Sequence, residues 1–288
     1  MMRVTCLAAA VALSIAAETP AIQNGRIDSR PAGDLRAVVG SVESKTEPAW
    51  VTWTVPMIPG ERQLCSVWSS QTYAVRGMYL EGWTGTAPPP MSVPPGPTRL
   101  EAGTRLVLFA RVTNGTVERV RLSADDCPVD AGGLRVLRLD PITAQASIAY
   151  LESLLVESAS STGSRPIASA VSAIALHDAA AADEVLERLA VTAGEREVGR
   201  QAASWLARAR GRRGFDTLTR LLASTAAPAT RRALVAALAQ SPLPETFDTL
   251  ATLARTHTDD RVRVEAVRAI SRSTDPRAKE FLTGVLRQ

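Results

Sequence analysis

Four carboxylates, Glu184, Asp216, Asp248 and Glu280, stand at a constant interval of 32 residues. Carried on successive structural units, they would form an acidic row able to receive a basic peptide or a cation. The competing reading is local. The same residues fall near predicted helix starts, where unpaired amides favour a carboxylate by ~0.3–1 kcal/mol. A second charged group, Arg208, Arg210, Arg212 and Arg213, occupies one short turn between helices. Guanidinium groups this close together suit a phosphate or carboxylate, although two of them also fit a helix C-terminus. Asp125, Asp126 and Asp130 surround Cys127. They lack the glycine and glutamate of an EF-hand loop, so an acidic loop is expected and no metal ligands are assigned.

Trp50, Trp53 and Trp68 gather with Tyr73 and Tyr79 in the first half of the chain. Three positions apart on a strand, Trp50 and Trp53 face opposite sides. Docking of one face on the rest of the chain is the plain expectation; a small-ligand platform is the sharper one. The two histidines, His177 and His257, lie 80 residues apart and off the 32-residue interval, so they form no pair. No serine sits in a G-x-S-x-G or S-x-x-K context. No catalytic residue and no cofactor are assigned.

These groups are positioned by a repeat. Ile174, Leu206, Leu238 and Ile270 are spaced by 32 residues. So are Ala170, Ala202, Leu234 and Ala266, and Val171, Ala203, Val235 and Val267. A second helix in each unit contributes Leu186, Leu218, Leu250 and Leu282. Two further columns are Leu189, Leu221, Leu253 and Val285, then Ala190, Leu222, Ala254 and Leu286. All 24 positions are apolar, and the offsets within each unit place them on one face of each helix. Turn formers separate the two helices: His177-Asp178, Gly211 with Gly214, Ser241-Pro242, and Asp275-Pro276. A helical hairpin of this size cannot bury its apolar face alone, so the units must stack.

The last unit, Asp260-Arg261-Val262-Arg263-Val264-Glu265-Ala266-Val267-Arg268-Ala269-Ile270, resembles the D-x-V-R-x-x-A-x-x-A-L pattern of HEAT repeats, and Asp275-Pro276-Arg277-Ala278 resembles their linker into the second helix. The resemblance is closest to short bacterial repeats like those of phycobilisome-lyase-type proteins. It covers about residues 143–288 and implies an α-solenoid, with residues 143–158 as a half-repeat beneath four full units. It implies a scaffold or adaptor, or in a few relatives a lyase, and transfers no catalytic residue.

Upstream of residue 140 the pattern is short strands. Residues 36–140 are expected to form a small β-rich domain, with Leu35–Val39 and Trp50–Val55 as strands. A hairpin runs through Arg105–Thr113, turns at Asn114-Gly115 and returns over Thr116–Leu122. Residues 85–97 carry six prolines and two glycines, which reads as a stiff exposed loop. Residues 18–35 have no periodicity and read as a linker or arm.

Residues 1–17 read as a secretory leader: Arg3, an apolar run Val4–Ala17 too short to span a bilayer, and cleavage after Ala16 or Ala17. Cys6 leaves with it. The remaining Cys65 and Cys127 then allow one intramolecular disulfide, which in the chain-entropy model contributes ~4 kcal/mol. Periplasmic or secreted localisation follows, with no transmembrane segment after cleavage. The net charge is +4, from 33 basic and 29 acidic residues spread over both halves, so nucleic acid is not an expected partner. The function expected is an exported, non-catalytic protein-interaction module with a protein or peptide partner in the cell envelope. The alternatives are a lyase-like repeat enzyme and a small-ligand sensor built on the tryptophan-rich region.

Overall fold

A computed structural model describes residues 20–42, 47–60, 64–69, 74–82, 103–159, 167–192, 196–225 and 227–285. The expected leader and the proline-rich segment 85–97 lie outside the described residues.

The first half is strand-rich. In chain order it contains β1 (Ile22–Gln23), β2 (Arg26–Pro31), α1 (Leu35–Gly40), β3 (Ala49–Pro56), β4 (Ser66–Ser69), β5 (Ala74–Tyr79), β6 (Arg105–Thr113), β7 (Thr116–Ala124), β8 (Val129–Asp130) and β9 (Arg135–Asp140). A five-stranded sheet has the order β2-β9-β3-β6-β7, and a four-stranded one the order β1-β8-β5-β4. β3 is central in the larger sheet, antiparallel to β6 and parallel to β9. Its alternate residues feed two cores, as period-2 geometry requires. Val51, Trp53 and Val55 join Leu106, Leu108 and Leu137 on the helix-facing side. Trp50 joins Val107, Phe109 and Val136 against the smaller sheet. β6 is thus buried on both faces, where its sequence pattern indicates one well-buried face.

The β6–β7 hairpin turns at Asn114 and Gly115 as expected, with φ of +50° and +72°. Both residues must be left-handed in a type I′ turn, which is why Asn-Gly suits it. Cys65, just before β4, is bonded to Cys127, just after β7, at 2.07 Å.

Two expectations need correction here. The linker expected over 18–35 contains two strands, β1 and β2, and β2 pairs in parallel with β9 along its whole length. All six of its side chains are exposed, so its order comes from backbone hydrogen bonds, which leave no apolar pattern in the sequence. Residues 35–40 are helix rather than strand. The Asp34 carboxylate accepts from Ala37 N–H at 2.8 Å, and this N-cap outweighs the β-propensity of Val38 and Val39.

The second half is helical. After α2 (Ala144–Ala159) come four pairs: α3 (Ile167–Leu176) with α4 (Ala180–Thr192), α5 (Glu197–Ala209) with α6 (Gly211–Ser224), α7 (Pro228–Leu238) with α8 (Thr246–Thr256), and α9 (Asp260–Ser271) with α10 (Ala278–Val285). First helices pack in sequence, α3 on α5, α5 on α7 and α7 on α9. Each second helix packs on the first helix of the next pair, α4 on α5, α6 on α7 and α8 on α9. The 32-residue columns supply these contacts. Ile174, Leu206, Leu238 and Ile270 are all 0% exposed, and Leu186, Leu218 and Leu250 are buried. Arg210 alone separates α5 from α6, and Gly211 opens α6 with φ of +55°. Gly214 lies inside α6, where any Cβ would collide with the Leu206 carbonyl of α5.

The two halves share one apolar core, running from Val39 and Trp53 through Leu151 and Ile174 to Ile270 and Phe281. Backbone bonds join them as well. Ile58 N–H donates to Leu176 O, and Asp178 N–H to Pro56 O, each at 3.0 Å. The end of β3 therefore docks on the last turn of α3.

Candidate functional site

The carboxylate row lies on the exposed side of the second helices. Glu184, Asp216, Asp248 and Glu280 are all exposed. Only Asp248 and Glu280 fall in the first turn of their helices; Glu184 and Asp216 lie deeper in α4 and α6. Helix-start stabilisation therefore accounts for half the row. Asp248 receives Arg277 Nη1 at 2.8 Å from the neighbouring pair, and Asp216 stands 3.8 Å from Arg212 of its own helix. The row is therefore not a bare acidic stripe.

Its surroundings are laced by ion pairs that cross from one helical pair to the next. Arg188 of α4 reaches Glu152 of α2 at 2.5 Å. Arg220 of α6 grips both oxygens of Glu187 of α4, at 2.9 and 2.7 Å. Arg212 of α6 pairs with Glu245 at the start of α8. Exposed pairs contribute only ~0–1 kcal/mol each, so their main effect is to fix lateral register and cancel charge.

The four arginines do not form an anion clamp. Arg208 stacks on the Trp205 ring at 5.1 Å. Arg212 and Arg213 are exposed and paired, Arg213 with Asp183 at 3.4 Å. Arg210 is 6% exposed and faces inward. Its guanidinium pairs with Asp183 and donates to the carbonyls of Ala175 (3.3 Å), His177 (2.8 Å) and Ala179 (3.2 Å). It satisfies the carbonyls at the end of α3, which no residue on that helix could reach. In the sequence Arg210 is one arginine among four; only its depth sets it apart.

His177 sits at the same seam, 0% exposed. Its Nδ1 lies 2.7 Å from Ala173 O and its Nε2 lies 2.8 Å from Ser147 Oγ. A carbonyl can only accept, so Nδ1 carries the proton and Nε2 accepts from the serine hydroxyl. Ser147 Oγ in turn accepts from Trp53 Nε1 at 2.8 Å. Every member of this chain is satisfied only while the imidazole is neutral. Burial, reinforced by the Arg210 charge, pushes the His177 pKa down to about 4 against an opposing bond to Ala173. Both ring nitrogens are thereby committed to joining β3, α2 and α3.

The aromatic platform does not form from the residues described. Trp53 packs edge-to-face on Tyr150 of α2 at 5.9 Å, which is the docking arrangement. Trp50 is buried on the other face and donates to Glu81 at 2.9 Å. Tyr79 is buried too; Trp68 lies on β4 and Tyr73 outside the described residues. The acidic loop is also engaged internally. Asp126 pairs with the buried Arg76 at 2.7 Å, Asp125 accepts from Arg105 N–H at 3.3 Å, and Asp130 accepts from Asn24 at 3.2 Å. Burial raises the Asp125 pKa above the usual carboxylate range.

An open feature on the second-helix face is a groove of ≈ 820 Å³ between α8 and α10. Phe247 and Phe281 meet edge-to-face at its base, with ring centroids 6.2 Å apart. Arg277 stacks over Phe247 at 4.3 Å and Arg255 over Phe281 at 4.6 Å. Lys279, Asp248 and Glu280 complete the charged lining. Arg255, Phe247 and Phe281 are not among the site residues read from the sequence, because none belongs to a column that keeps one residue type through all four units: Phe247 recurs only as Phe215 and Arg255 only as Arg287.

A family model for HEAT repeats matches residues 215–288, which covers most of α6 and all of α7 to α10. No match was found among curated proteins or among solved structures. The match supports a HEAT-repeat reading of the C-terminal helices and stops short of the first pairs and the strand-rich half.

Proposed function

We propose that this chain is an exported, non-catalytic interaction module. In this reading residues 141–288 form a HEAT-type α-solenoid, and its second-helix face receives a protein or peptide partner in the cell envelope. The strand-rich half closes the solenoid's first unit. The observation that carries the reading is the ordered packing of first helices on first helices, with α4, α6 and α8 each on the first helix of the next pair. The committed nitrogens of His177 and the internal pairing of Arg210 fit a structural role for the residues with the most perturbed surroundings. Export is supported by the apolar N-terminal run and by the Cys65–Cys127 bond. No described helix is long and apolar enough to cross a membrane.

The test is photo-crosslinking in the native envelope from single positions on the two surfaces. A crosslinker at the exposed Thr252 of α8 is expected to trap a discrete partner, and one at Ala229 of α7, on the first-helix surface, to trap none. Crosslinks from the first-helix surface alone, or from neither, overturn the reading. Intact mass of the same preparation reports the leader and the disulfide. Retention of residues 1–17, or two alkylatable thiols, overturns export.

A further inference from the structure

The groove between α8 and α10 carries more charge information than its repeat neighbours. Among its cations, Arg277 is consumed: it donates to Asp248 at 2.8 Å and to both oxygens of Asp275, at 3.0 and 2.8 Å. Asp248 is neutralised by the same contact. Arg255 and Lys279 have no ion pair among the described residues, and both are exposed on the groove. The one lining carboxylate without an ion pair among the described residues is Glu280. The charges left over are two positive and one negative, the reverse of an acidic row.

Arg255 is also held in a useful posture. Its guanidinium carbon stands 4.6 Å from the centroid of the Phe281 ring, so the ring holds in place a group able to grip a carboxylate through two parallel bonds. Beside it the wall is apolar and low: Ala251, Pro276 and Gly284 line the groove with the two phenylalanines. A Cβ added at Gly284 would meet nothing within 4 Å, so that wall opens on free space.

We propose that this groove binds an acidic peptide segment of the partner, with a carboxylate on Arg255 and Lys279 and an apolar side chain over Ala251 and Gly284. The proposal rests on the interaction-module reading and names the chemistry of its partner. It inverts the basic partner that the carboxylate row suggests, because that row's two central members are already paired with arginines. Two unpaired cations are too few for a nucleic-acid backbone, whose binding rests on many phosphate contacts.

The experiment is selection of a displayed pool of random short peptides on the purified full chain at low salt, followed by affinity measurement on the enriched peptides. The expected consensus combines Asp or Glu with one large apolar residue, and its affinity falls with added salt. Arg255→Gln with Lys279→Gln should weaken binding about tenfold or more, whereas Arg261→Gln with Arg272→Gln, an equal charge change at the two ends of α9, should leave it nearly unchanged. Gly284→Leu blocks the groove without removing a charge, favours the helix, and should abolish binding while the thermal unfolding midpoint is not lowered. A basic or uncharged consensus, or peptides that bind all variants equally, overturns the groove assignment and leaves the module reading standing. Absence of any enriched peptide also overturns the groove assignment, and crosslinking from Thr252 then decides the module reading by itself.

Discussion

The strand-rich half and the helical half are stabilised by contacts of opposite range. In the sheet, β2 bonds to β9 and β3 to β6 and β9, so these strands depend on chain far away in sequence. Among the helices, each pair leans on its immediate neighbours, with the same columns supplying the contact each time. A lost contact in the sheet should therefore spread, and one in the helices should stay local. The seam around Arg210 and His177 is where the two regimes meet.

Breaking the seam should have the largest effect. Arg210→Met leaves Asp183 without its buried partner and strips donors from Ala175, His177 and Ala179. A loss of about 3–5 kcal/mol is expected by denaturant titration. Hydrogen exchange should accelerate on both sides, at the β3 end and in α3 and α4. Acceleration confined to α5 and α6 would show that the seam does not couple the halves.

Matched core truncations sharpen the contrast. Leu218→Ala and Leu108→Ala each empty a fully buried site and should cost about 2–5 kcal/mol. The first should expose mainly α5 to α8 to exchange, the second the whole five-stranded sheet. Equal spread from both variants would remove the distinction.

Acid should weaken the seam by a somewhat smaller amount. The His177 pKa of about 4 lies below its ordinary value of 6.5, so the unfolded chain binds the extra proton first. Above pH 6.5 this group leaves stability unchanged. Between pH 6.5 and 4 stability falls with pH, by about 3 kcal/mol in total, and below 4 the loss is complete. The groups facing the ring are the Arg210 guanidinium and the uncharged Ser147 and Trp53. His177→Gln should be less stable at neutral pH yet lack this part of the acid slope. An identical slope in both proteins would mean that the histidine is not held neutral.

The smallest effect belongs to the carboxylate row. Asp216→Asn and Asp248→Asn, separately or together, should change stability by no more than ~1 kcal/mol, because both pairs are exposed. Chemical denaturation at low and high salt measures this, and a larger loss would make the lateral pairs structural.

The same contrast explains what could be read from the sequence. The apolar columns at Ile174, Leu206, Leu238 and Ile270 are legible because each helix uses its own residues to meet a neighbour like itself. The Asn114-Gly115 turn and the Cys65–Cys127 pair are legible because each is fixed by residue type. β2 is not, since its order comes from main-chain bonds to β9 and its side chains face water. Arg210 is hidden among Arg208, Arg212 and Arg213, since nothing local encodes depth. Arg255 escapes for a different reason: its column is apolar one and two intervals earlier, at Ala223 and Val191, and arginine only at 255 and 287, so no constant residue type marks it.

The docking of β3 on the last turn of α3 also gives the row of helical pairs a polarity in self-assembly. A repeat array with two bare ends can add copies head to tail without limit, because each end presents what the other accepts. Here the first pair is already covered by α2 and by the end of β3, where Ile58 N–H donates to Leu176 O and Pro56 O accepts from Asp178 N–H. An incoming copy meets strands there instead of a helical pair, so filament growth is blocked at that end. The sheet thus acts as a chain terminator for the array as well as a partner in its core.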